Sequence, residues 1–156
     1  MTGSFEIVPL GALDLDRAAR LHGESFGPLG ERPWSRQDVA GLLAAPGCNG
    51  FLLRRGGEDA GVALCRVAAD EGELLTIAVR PGLRRQGGAR RLLEAVVETV
   101  RAAGANSLFL EVGADNPAAR ALYEARGFQP VGRRPGYYAR GERAPADALV
   151  MRLVLD

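Results

Sequence analysis

Glu111 stands in Leu108-Phe109-Leu110-Glu111-Val112, an otherwise apolar run. A carboxylate placed there is an outward-facing charge, a partner for an arginine, or a general base whose pKa burial raises toward neutrality. Tyr123 follows twelve residues later, inside Asn116-Pro117-Ala118-Ala119-Arg120-Ala121-Leu122-Tyr123. Taken alone it reads as a packing aromatic. A second chemical stretch precedes both. Ile77 to Leu92 reads IAVRPGLRRQGGARRL, an apolar run, a sharp turn at Pro81-Gly82, then glycines among arginines. Gly87 and Gly88 lack a Cβ, so the backbone there can approach a ligand and take positive φ at little cost. The first amides of the following helix have no intrahelical partner and, with the helix dipole, attract an anion. Arg80, Arg84, Arg85, Arg90 and Arg91 crowd that helix start, where a merely solvated face would mix its charges. The bland alternative is a helix with a basic first turn. No Gly-Lys-Ser/Thr follows the turn, so it is not a P-loop. It also lacks Gly-x-Gly-x-x-Gly, so it is not a dinucleotide fingerprint.

The elements that must position these residues can be read from periodicity. Phe5 to Leu10 alternates as a first strand, and Leu13 to Phe26 has a helical pattern with Leu13, Ala18, Leu21 and Phe26 inward. Gly27 to Pro33 is a loop. Ser35 is a good N-cap for a short helix to about Ala44. Gly50 to Arg55, Ala60 to Ala69 and Glu73 to Val79 form an antiparallel meander, the first two joined by a Gly56–Asp59 turn. Ala89, Leu92, Leu93, Val96, Val97 and Val100 share one face of a helix. Ser107 to Val112 suits a buried strand beside the preceding one, which makes a right-handed parallel crossover. Asn116 caps a further helix with Pro117 at its first position and Ala118, Ala121 and Leu122 inward, and Gly127 ends it in αL. Phe128 to Gly132 and Ala148 to Leu155 are two final strands joined by a polar segment, Arg133 to Pro145. A parallel pair that parts beyond the glycine turn leaves a cleft for a ligand.

Composition excludes several functions. At 156 residues the chain is read as one domain spanning its length, with a full core. A net charge of +1 argues against a dedicated nucleic-acid binder. His22 is the only histidine, which nearly excludes a histidine triad or multi-histidine metal site. Cys48 and Cys65 show no metal spacing and read as reduced, buried thiols. With no signal-like N-terminus and no long apolar run, the expectation is a cytoplasmic protein without membrane attachment.

Two signatures carry a family resemblance. Arg84-x-x-Gly87-x-Ala89 resembles the Gln/Arg-x-x-Gly-x-Gly/Ala signature of the GNAT family of N-acetyltransferases. Ala119-x-x-Leu122-Tyr123-x-x-x-Gly127-Phe128 resembles a later segment of that family, in its order and spacing. Residues 33–154 are most similar to the bacterial ribosomal-protein alanine N-acetyltransferases, through Pro33-Trp34-Ser35, Leu110-Glu111-Val112, Arg133-Arg134 with Tyr137-Tyr138, and Asp147 to Met151. The departures are a Gly-rich stretch at residues 23–32, Gly88-Ala89 for x-Gly, and Pro135-Gly136 where Asn is usual.

The resemblance implies an α/β fold with a mixed, mostly antiparallel sheet of about seven strands, splayed between the fourth and fifth, and about four helices. It implies acetyl-CoA as co-substrate and no metal. Ile77, Ala78 and Val79 would pair with the pantetheine arm, and Arg84, Arg85, Gln86, Gly87, Gly88, Ala89 and Arg90 would take the pyrophosphate. Asn116 would bind the arm. Glu111 would be the base, directly or through water, and Tyr123 the acid that protonates the departing thiolate. Trp34, Tyr137 and Tyr138 would wall the acceptor groove, the tyrosine pair having simple packing as its alternative. The expected acceptor is a protein N-terminus, with ribosomal proteins as candidates. A small-molecule amine is the second reading, and a non-catalytic coenzyme A-binding module the third. Glu111 and Tyr123 together speak against the last.

Overall fold

The five aliphatic side chains Leu92, Leu93, Val96, Val97 and Val100 are completely buried. Each contributes about 1.5–3 kcal/mol of burial, enough to pin a long helix across a sheet. The computed structural model describes residues 3–156. Its strands are β1 (Phe5–Pro9), β2 (Cys48–Arg55), β3 (Glu58–Ala68), β4 (Glu71–Val79), β5 (Ser107–Gly113), β6 (Gln129–Arg140) and β7 (Arg143–Val154). Its helices are α1 (Leu15–Phe26), α2 (Arg36–Ala44), α3 (Gly88–Ala102) and α4 (Pro117–Arg126). The strands form one seven-stranded sheet in the order β1-β2-β3-β4-β5-β7-β6. Every pairing is antiparallel except β4 with β5. The α3 face and the Tyr123 side of α4 share one core with Leu108, Leu110 and Val112. On the opposite face, α1 and α2 cover a second core built on Leu52, Val62, Leu64 and Ala78. Among the described residues no helix is long and apolar enough to cross a membrane.

The sheet opens at its centre. β4 and β5 are in register only at Glu71–Ser107, Gly72–Leu108 and Glu73–Phe109. Beyond that, β4 runs on to Val79 and β5 to Gly113 without each other as partners. A bulge starts the divergence: Cys65 faces Leu74 and Leu64 faces Thr76, which leaves Leu75 as the extra residue. A bulge bends its strand and increases its twist, so β4 turns away from β5 at this point. The expected split between the fourth and fifth strands is therefore present.

The caps are as the sequence reads. Ser35 Oγ accepts from the Asp38 amide at 3.1 Å, and Asp38 Oδ2 accepts from the Ser35 amide at 2.8 Å. Asn116 Oδ1 accepts from the Ala119 amide at 3.2 Å, and Gly127 closes α4 with φ 109°.

Other local expectations are corrected. Leu13 is 97% exposed, because it lies in a 3-10 turn (Ala12–Asp14) ahead of α1 and so is out of phase with that helix. In α4, Ala118 and Ala121 are exposed, and Ala119, Leu122 and Tyr123 face inward. The large tyrosine ring sets the phase, since an alanine gains little from burial. Glu58 and Asp59 already belong to β3, so the turn before it is Gly56-Gly57. Cys48 is only half-buried. The largest miss is Arg133 to Pro145. It is mostly strand, the far half of a long β6–β7 hairpin. β6 is an edge strand, exposed from Gln129 to Tyr137 and interrupted by irregular register. An edge tolerates Pro130, Pro135 and polar residues that a central strand would reject.

Candidate active site

The split opens into a cleft of about 1330 Å³. It is lined on the α3–α4 side by the glycine–arginine turn, Asn116 and Tyr123, and on the α1–α2 side by Trp34, Glu111, Tyr137 and Tyr138. Every predicted site residue lines it except Gln86, whose side chain turns away to Arg55.

The α3 wall offers main chain. Gly87 caps α3 with φ +88°, and no side chain caps the first amides of the helix. Arg85 also holds a positive φ, 64°. Gly88 serves a different purpose: a Cβ on it would lie 2.7 Å from Leu53 Cδ2, so its absence lets α3 sit close on the sheet. Among the described residues Arg84, Arg85 and Arg90 enter no ion pair, while Arg80 is bound to Glu24 at 3.2 Å. Arg84 Nε donates to the Val79 carbonyl at 3.2 Å. A helix N-terminus with uncapped amides and uncompensated guanidinium groups fits a polyphosphate. The β4 edge facing the split fits an extended amide-bearing chain laid alongside it. The residues present therefore suit a nucleotide with a long amide arm.

Glu111 combines two of its sequence readings. Its side chain is 25% exposed, and Oε1 lies 3.2 Å from Arg134 Nε. Its other oxygen, Oε2, is buried with no partner among the described residues. Tyr123 lines the cleft from the opposite face of the sheet, 5% exposed, edge-on to Phe128 with ring centroids 5.7 Å apart. Burial raises its phenol above the ordinary tyrosine range, so it is held protonated. Tyr138 is raised too, first by burial and then by the charges of Glu111 and Glu31. It meets Tyr137 edge-to-face at 5.1 Å.

Sequence reasoning missed the residues that tie this wall together. The Arg140 side chain is 4% exposed and grips Asp115 with two hydrogen bonds, of 2.8 and 3.0 Å. Its Nη1 lies 3.4 Å from Glu31. One guanidinium thus joins β6, the loop before α4 and the loop after α1. Arg140 holds the Asp115 carboxyl below the usual range, whereas burial pushes Glu31 up against the pull of Arg140. His22 stacks on Trp34 with rings 4.2 Å apart and 8° from parallel. Its Nδ1 accepts from the Trp34 amide at 3.2 Å. Burial drives its pKa down to about 4, so the ring is neutral. A lone histidine and one arginine among several in a polar segment carry no spacing signal. Asp115, Arg134 and Arg140 lie within stretches that carry the family resemblance, but none was singled out there.

A family model described as acetyltransferase (GNAT) family matches residues 15–128. The ribosomal protein bS18-alanine N-acetyltransferase of Escherichia coli (strain K12) is 39% identical over 124 residues, covering 80% of this chain and 82% of that one. N-alpha-acetyltransferase RimI of Mycobacterium tuberculosis is 38% identical over an alignment of 159 residues, covering 97% of this chain and 96% of its own. The crystal structure of the ribosomal-protein-S18-alanine N-acetyltransferase from Escherichia coli superposes with TM-score 0.88 at 33% identity, over 98% of this chain and 95% of that one.

Proposed function

This chain belongs to the acetyltransferase (GNAT) family, and we propose that it moves an acetyl group from acetyl-CoA to the α-amine of a protein N-terminus, an alanine-initiated ribosomal protein being the favoured acceptor. The observation that carries this is the pair Glu111 and Tyr123 lining one cleft from opposite faces of the sheet, one a carboxylate with an oxygen unpartnered among the described residues and the other a buried neutral phenol.

The donor binds along β4. Main-chain groups of Ile77, Ala78 and Val79 pair with the pantetheine arm, and Asn116 binds it from α4. The amides that open α3, with Arg84, Arg85 and Arg90, hold the pyrophosphate. The acceptor enters from the other face, between Trp34, Tyr137 and Tyr138. Glu111 takes a proton from the incoming α-ammonium, directly or through a water. That ammonium has an ordinary pKa of about 8, so a weak base suffices. The freed nitrogen bonds to the acetyl carbon as the carbon–sulfur bond breaks, and Tyr123 gives its phenolic proton to the departing sulfur. Aromatic walls and the acidic pair Glu31 and Glu111 suit a cationic chain end. The names of the relatives add the ribosomal alanine acceptor.

Thiol release is the assay. The protein is given acetyl-CoA with an alanine-initiated peptide, with the same peptide N-terminally blocked but carrying lysine, and with a panel of free amines and amino acids. Turnover of the first alone is expected. Turnover confined to the free amines replaces the acceptor, and thiol release with none of them overturns the reading.

A further inference from the structure

We propose that the Thr76 hydroxyl positions the acceptor nitrogen, acting jointly with the free oxygen of Glu111. This rests on the reading of Glu111 as the general base. Among the described residues, four buried side-chain polar atoms have no partner in the protein: Nε of Arg54, Nε of Arg55, Oγ1 of Thr76 and Oε2 of Glu111. The two arginines use their other nitrogens, on the Gly57 carbonyl and on Gln86. Thr76 has a single polar atom to satisfy, and the residue is only 7% exposed. Leaving a buried hydroxyl unpaired is costly, and native structures keep such groups where they serve a purpose. Valine has the same shape and suits a strand equally well, so packing alone does not call for threonine here.

Register shows where Thr76 faces. Leu74 enters the α3 core, as does Ile77 at its margin. Strict alternation from Leu74 would send Thr76 toward α3 as well. The extra residue at Leu75 changes the phase: Thr76 stands opposite Leu64, whose side chain is in the α1–α2 core. Glu111 lies between Leu110 and Val112, which enter the α3 core, so it faces the same side as Thr76. Both line the cleft, on the two strands that part. The bulge that opens the sheet therefore also aims this hydroxyl at the acceptor side. Arg134 holds Oε1 of Glu111 and leaves Oε2 free. Two buried acceptor oxygens across the split suit one donor with several N–H bonds, an α-ammonium. One N–H points to Glu111 Oε2 and its proton is transferred there. Another stays on Thr76 Oγ1 and keeps the neutral nitrogen beside the thioester.

The test compares Thr76→Val, Thr76→Ser, Glu111→Gln and the Val–Gln double variant on an alanine-initiated peptide. Thr76→Val is expected to lower kcat/KM for the peptide about tenfold, the worth of one hydrogen bond, with the KM for acetyl-CoA unchanged and Tm equal or higher. Thr76→Ser restores most of the rate. The double variant is no slower than Glu111→Gln alone, because the two groups act on one nitrogen. A Thr76→Val enzyme as active as wild type, equal loss in Val and Ser, or multiplicative losses in the double variant would overturn the proposal. If Glu111→Gln itself keeps the full rate, the base reading fails; if it is slow while Thr76→Val is not, only the role of Thr76 fails.

Discussion

The two walls of the cleft are built on different principles. The α3 wall presents backbone: the β4 edge, the uncapped amides at the start of α3, and arginines with no acidic partner among the described residues. The opposite wall is made of side chains already engaged with one another. Arg140 binds Asp115 and Glu31, Arg134 binds Glu111, and His22 supports Trp34. A donor common to a whole family can be recognised through main chain, which is indifferent to side-chain drift. An acceptor that differs between family members calls for exchangeable side chains. The difference predicts that damage to one wall should appear in one substrate's KM and leave the other's alone.

The largest effect is expected at Arg140. Arg140→Met strands the Asp115 and Glu31 carboxylates, and breaking a nearly buried pair costs about 3 kcal/mol, reduced where Asp115 is solvated. Unfolding by urea should show a loss of about 2–3 kcal/mol, and the peptide KM should rise while the acetyl-CoA KM holds. An equal rise in both would erase the distinction between the walls. Gly88→Ala comes next. Its methyl collides with Leu53, so stability should fall by about 1–3 kcal/mol through overpacking.

The His22 support gives a pH signature of similar size. Its folded pKa of about 4 lies below the ordinary 6.5, so in that window the unfolded chain binds a proton that the folded one refuses. Stability is therefore complete above pH 6.5 and falls as the pH drops toward 4, by about 3 kcal/mol. His22→Asn should lose this contribution to the slope of Tm against pH, and an unchanged slope would remove His22 from the account. The smallest effect is Gly87→Ala. Open space surrounds that Cβ position, so only the left-handed φ is strained, by about 1 kcal/mol. It should register in acetyl-CoA affinity and not in the peptide KM. Taken together, Gly87→Ala and Gly88→Ala separate the conformational glycine from the packing one, which the sequence treats alike.

Much of this molecule is local and so was legible in one dimension. The periodic face of α3, the caps at Ser35 and Asn116, the αL glycine at Gly127 and the parallel crossover all follow from rules acting within a few residues. The signature turn and the Glu111–Tyr123 spacing belong to the same class, since each lies within a single strand–helix unit. Tertiary structure decided the rest. The strand nature of Arg133 to Arg140 depends on pairing with β7, and an edge position makes its prolines and charges acceptable. Arg140 meets Glu31 and Asp115 only because three distant segments converge, and Thr76 shares the Glu111 side of the sheet only because a bulge shifts its strand by one residue. Contacts between segments far apart in sequence leave no period or spacing to read, and a bulge reverses the alternation on which every facing argument depends.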